Sequence, residues 1–175
     1  MQSFSEEKQN RTLELLYTKP LTDFSIIGGK YLAALFLVVL ALLPTLIYYW
    51  SLHRLGSPIG NIDDGAVIGS YLGLICLASV FVSLGIFISS LTSNQIVAFV
   101  LSAFLSFVFY FGFDFISDSP LFYGKWDDLI KNLGISYHYD NISKGRIDSK
   151  DVLYFASVTF LFLWFSFVSL DKRRW

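Results

Sequence analysis

The chain has 175 residues, 54% of them hydrophobic and 18% aromatic, with a net charge of −1. Only 15% are charged, against about 25% in a soluble domain, so a soluble domain is a poor alternative and no basic surface points to nucleic acid. The one cysteine, Cys76, lies in an apolar run, which argues against a disulfide framework or metal cluster and reads as a small buried hydrophobe.

The chain begins with a charged segment, "SFSEEKQNRTLELLYTKPLTDF", at residues 3–24. Ser3 and Glu6 have capping-box spacing, so a helix is predicted from about residue 4. Glu7 and Arg11 make a favourable i, i+4 pair. Leu13, Leu16 and Tyr17 share a face, while Arg11, Glu14 and Thr18 point elsewhere. Lys19-Pro20 ends the helix, because the residue before proline avoids the helical region. Two readings stand: an anchor helix lying in the membrane interface, or a docking helix for a cytoplasmic partner. Met1 leads into charged residues and not an apolar run, so no signal peptide is expected. Thr22 or Asp23 can cap the helix that follows. "GGK" at 28–30 is not a nucleotide-binding loop, since Phe24 stands where that pattern needs glycine and Tyr31 where it needs serine or threonine.

Three runs free of Asp, Glu, Lys and Arg follow: residues 31–52, 65–113 and 152–170. About 20 residues cross a ~30 Å hydrocarbon core. At about 1.5 Å per residue, the middle run would be roughly 73 Å long as one helix, so it folds back, most naturally at "SSLTSNQ", residues 89–95. The predicted fold is an all-α polytopic bundle with four spans, 26–50, 66–90, 95–116 and 152–170. Pro44, inside the first span, should kink it or free a carbonyl for a neighbour. Gly65, Gly69 and Gly73 open the second span at four-residue spacing, and small residues so spaced let helices approach closely, within the chain or between chains. Asp114 falls near the end of the third span and reads as an interfacial or capping carboxylate.

Four spans place both termini on one side. Lys172, Arg173 and Arg174 cluster after the last span, which favours cytoplasmic termini, although the cations as a whole divide almost evenly between the two sides. The outer side then holds a short turn-rich connection at 51–65 and a longer one at 117–151. Within the latter, Trp126, Leu129, Ile130 and Leu133 form one apolar face of a short helix, with Gly134 as its C-terminal cap. Phe122, Tyr123, Tyr137 and Tyr139 flank it, so the segment is read as interfacial. His53 and His138 fall in different outer connections without Cys or Glu nearby, so neither a metal site nor a catalytic dyad is expected. No cofactor site is apparent.

The first segment resembles the hallmark of the type-2, exporter-class ABC transporter permeases, E-x-x-x-G-T-L-E-x-L-L-x-x-P followed by Gly-Lys. Glu7, Thr12, Leu13, Glu14, Leu15, Leu16, Pro20, Gly29 and Lys30 match it, and Arg11 departs where glycine is usual. Ser136, Gly145, Ile147, Asp148, Asp151, Tyr154 and Phe155 match the family's outer segment before the last span. "LLPTLIYY" and "DNISKGRIDS" look like the gliding-motility branch. The resemblance implies an inner-membrane permease subunit, with a homodimeric or second-permease partner and lipid around it, whose segment 4–20, Lys19 included, docks on a cytoplasmic ABC ATPase subunit. It also implies six spans, so two are expected to be missing ahead of residue 1. The rival readings are a non-transporting membrane scaffold and, more weakly, an intramembrane enzyme.

Overall fold

A computed structural model describes residues 3–10, 22–57, 62–117 and 131–171. Among these, every regular element is a helix: α1 (Ser3–Gln9), α2 (Asp23–Leu42), a 3-10 turn (Leu43–Thr45), α3 (Leu46–Leu55), α4 (Asp64–Leu91), α5 (Gln95–Ser117), α6 (Ile135–Ser143) and α7 (Ser149–Asp171). Four stretches are long and apolar enough to cross a membrane: Asp23–Leu55, Asp64–Leu91, Gln95–Ser117 and Ser149–Leu170. The predicted all-α four-span architecture is therefore observed.

The helix starts follow from short polar side chains that take up amide groups left without partners in the first turn. Thr22 accepts from the Ser25 amide at 3.3 Å, and Asp63 from the Ala66 amide at 3.2 Å. Asn94 accepts from the Ile96 and Val97 amides at 2.9 and 3.4 Å. The fold-back is narrower than the sequence indicates. Ser89 and Ser90 are still helical and buried, and the reversal is confined to Thr92, Ser93 and Asn94.

Pro44 interrupts but does not end the first span. The 3-10 turn at Leu43–Thr45 absorbs it, and α3 carries the helix on to Leu55, beyond the end expected near residue 50. The Thr45 hydroxyl donates to the Leu42 carbonyl at 2.6 Å and lies 2.8 Å from the Tyr71 hydroxyl on α4. The polar groups disturbed by proline thus find a side-chain partner and a tie to the neighbouring span, as an apolar surrounding demands.

α4 is the hub. Of the apolar window of Asp64–Leu91, 44% is buried, against none of that of Asp23–Leu55. Its small residues allow this: Gly69, Gly73, Ser83 and Gly85 are all buried. Lipid supplies no hydrophobic drive between spans, so contact area and interhelical hydrogen bonds hold them together. Leu84 and Ile88 pack with Phe162 of α7, and the Phe109 ring of α5 meets Phe162 edge-on at 5.5 Å. Ser79 and Thr159 join α4 to α7 at 3.2 Å.

The connection between the third and fourth spans holds an element that the sequence pattern did not suggest. Residues 135–143 form helix α6, laid across α4, α5 and α7. Gly134, expected to cap the preceding helix, has φ −76° and ψ 136° and is the N-cap of α6. Among the described residues the left-handed glycine is Gly145, at φ 79°. Trp126, Leu129 and Ile130 lie outside the described residues.

Candidate functional site at the two ends of the bundle

α1 does not merely lie along the surface of the bundle. It is inserted against one end of it, called here the near end. Phe4 is 1% exposed and packs with Ile27, Ile86 and Leu170, drawn from α2, α4 and α7. The Ser89 hydroxyl accepts from the Phe4 and Ser5 amides, both at 2.9 Å. One side chain of α4 thereby takes up two of the amides that the first turn of α1 leaves open. Glu7 pairs with Lys30 at 2.6 Å, and the Lys30 ammonium stands 4.2 Å over the Phe4 ring. Lys8 donates to the Ser90 carbonyl. Two residues of the N-terminal motif, 23 positions apart in sequence, thus form one charged contact between α1 and α2. Gly29, also of the motif, has open space where a Cβ would stand. Arg11, Thr12, Leu13, Glu14, Leu15, Leu16, Lys19 and Pro20 lie outside the described residues.

The opposite, far end is built by steric fit. A Cβ on Gly69 would stand 2.3 Å from the Ile142 carbonyl oxygen and 2.9 Å from the Gly145 Cα, so only glycine admits α6 there. A Cβ on Gly73 would meet the Tyr139 ring at 3.3 Å. Gly65 backs onto Gly145, whose own Cβ would lie 3.3 Å from the Gly65 carbonyl group. The glycine stripe of the second span and the glycine of the motif before the last span therefore meet each other. The chain reverses after α6 in a Schellman turn: the Gly145 amide donates to the Ile142 carbonyl at 3.0 Å and the Arg146 amide to that of Asn141 at 3.1 Å. Ile147 is exposed. Asp148 starts α7, its carbonyl accepting from the Asp151 amide at 3.1 Å and its carboxylate from the Lys150 amide at 3.5 Å.

His138, expected to have no Cys or Glu nearby, is paired instead with an aspartate from α7. Its Nδ1 lies 2.6 Å from the Asp151 carboxylate, its Nε2 lies 2.8 Å from the Asn132 carbonyl oxygen, and its ring stacks on Tyr154 at 4.0 Å. Both partners are buried. The pair is still no catalytic dyad, because both ring nitrogens are engaged and none is free to activate a nucleophile. Tyr154 itself donates to the Leu133 carbonyl at 2.6 Å. The missed signal was periodicity: Ile135, His138 and Ile142 occupy the buried face of one amphipathic helix. Asp114, read as interfacial or capping, accepts from the Ser136 hydroxyl and so ties α5 to the start of α6. Among the described residues no group of three or more His, Cys, Asp or Glu could hold a metal ion.

With a bundle of four membrane-length helices, an anchored N-terminal helix and a capped helix at the far end in hand, comparison with known families is direct. The model of the ABC-2 family transporter protein matches residues 1–173, and the chain belongs to that family. Its members are membrane permease components that partner an ABC ATPase subunit and are typically not enzymes themselves. No curated protein and no solved structure matches the chain.

Proposed function

We propose that this chain is the moving membrane part of an ATP-driven exporter and that its N-terminal segment, residues 4–20, transmits the ATPase subunit's motion to the spans. The observation that carries the reading is the anchoring of α1. Phe4, the Glu7–Lys30 pair and the Ser89 hydroxyl fasten it to α2 and α4 at once, and Leu170 adds α7. A push on a segment so held displaces three spans together, as rigid-body rocking requires. The near end is then cytoplasmic and the far end external, in keeping with Lys172, Arg173 and Arg174 after α7. Two copies, or one copy with a second permease, form the path, in a bacterial inner membrane. The resemblance of "LLPTLIYY" and "DNISKGRIDS" supports the gliding-motility branch.

The test is cysteine cross-linking from position 13 or 14 to a co-expressed ABC ATPase. A cross-link whose yield changes with nucleotide is expected. An assembled complex with no cross-link from either position would remove the coupling role and leave a scaffold.

A further inference from the structure

At the far end, between α6 and the first turn of α7, lies a polar cavity of about 520 Å³. Its charged lining is Arg146, Asp148, Lys150 and the His138–Asp151 pair. The His138 Nδ1 lies 2.6 Å from the Asp151 carboxylate and its Nε2 lies 2.8 Å from the Asn132 carbonyl oxygen. Asp151 is 4% exposed, so its carboxylate is turned to the imidazole inside the protein and not to the open part of the cavity.

Arg146, Lys150 and Asp148 remain. All three are exposed, and neither cation has a carboxylate within ion-pair distance among the described residues. Asp148 has one carboxylate oxygen turned to the Lys150 amide. On the exposed part of the lining two cations thus stand against one carboxylate. The cavity also opens beside the start of a 23-residue helix, where the dipole favours an anion. Arg146 presents a planar fork of donors and Lys150 a compact point charge, and the Asn141 amide on the same wall adds a neutral donor.

We propose that this cavity binds a phosphate-bearing group, supplied by a lipid headgroup or by a free solute. The guanidinium fork and the ammonium divide the phosphate oxygens, and the remaining volume takes the group that the phosphate esterifies. The site stands at the end of the bundle where the spans leave the hydrocarbon, so either source can reach it. The proposal does not depend on the coupling role of the N-terminal segment.

The experiment uses the full chain purified in detergent. Phosphatidylglycerol is titrated and followed by native mass spectrometry, and inorganic phosphate is titrated and followed by thermal shift. The double variant Arg146→Gln/Lys150→Gln is compared with Lys144→Gln, whose lysine pairs with Asp140 at 3.1 Å outside this cavity. Loss of two charge-assisted contacts should weaken binding by roughly tenfold or more, and the Lys144 variant should bind as the parent does. Binding of phosphatidylglycerol alone identifies a headgroup, and binding of phosphate alone a solute, when the double variant abolishes it. Binding of neither probe, or equal binding by parent and double variant, would overturn the proposal. Arg146→Gln alone, expected to lose part of the affinity, serves as the milder variant if the double one unfolds.

Discussion

The two ends of α4 solve the same problem, seating a short helix on a long one, by opposite means. At the near end serine does it. The Ser89 hydroxyl takes two amides of α1, and the Glu7–Lys30 pair and Lys8 add charged contacts. At the far end glycine does it, by removing side chains from Gly65, Gly69 and Gly73 so that α6 and Gly145 come to backbone contact. Directional bonds can be broken and remade as a segment shifts. A steric seat fits one position and resists change, since packed interiors do not deform continuously. The difference supports the proposed coupling role, which needs one end that can shift and one that holds its shape.

Substitutions that attack each seat by its own physics should separate the two. The largest effect is expected from Gly69→Ala. Its methyl would stand 2.3 Å from the Ile142 carbonyl oxygen, and overpacking against backbone should cost about 3 kcal/mol, read as a fall in reversible unfolding free energy in mixed micelles. Gly73→Ala meets only the movable Tyr139 ring at 3.3 Å and should cost about 1 kcal/mol. Equal losses at the two positions would refute the steric account. Asp151→Ala leaves the buried His138 Nδ1 without its partner and should cost about 2 kcal/mol, with proteolysis exposing the 131–148 region first. At the near end, Ser89→Ala leaves two amides of α1 without their acceptor, a loss of about 2 kcal/mol that should appear as faster hydrogen exchange confined to residues 4–8. Glu7→Gln should be the mildest, about 1 kcal/mol or less, because the pair is partly open to solvent. Any effect it has should shrink in high salt, whereas that of Gly69→Ala should not.

The spans were legible because hydropathy and helix length are local properties. A run of 49 uncharged residues cannot cross a bilayer once and stop, and Thr22 marks a helix start by chemistry acting over three residues. Pro44 was legible as a disturbance, but its repair by Thr45 and Tyr71 was not, because Tyr71 belongs to another span. Helix α6 was missed for a different reason. "ISYHYDNIS" is too polar to read as a core element until α4 supplies the glycine floor on which Ile135, His138 and Ile142 are buried.

Sequence alone thus determined the all-α membrane class and the four long apolar helices, since each depends on residues within a few positions of one another. Only the tertiary structure decided the pairings. Glu7 with Lys30, Gly69 with Gly145 and His138 with Asp151 are each made by separate helices brought together. Contacts of that kind depend on which faces the bundle turns toward each other, and no local pattern of charge or hydropathy encodes it.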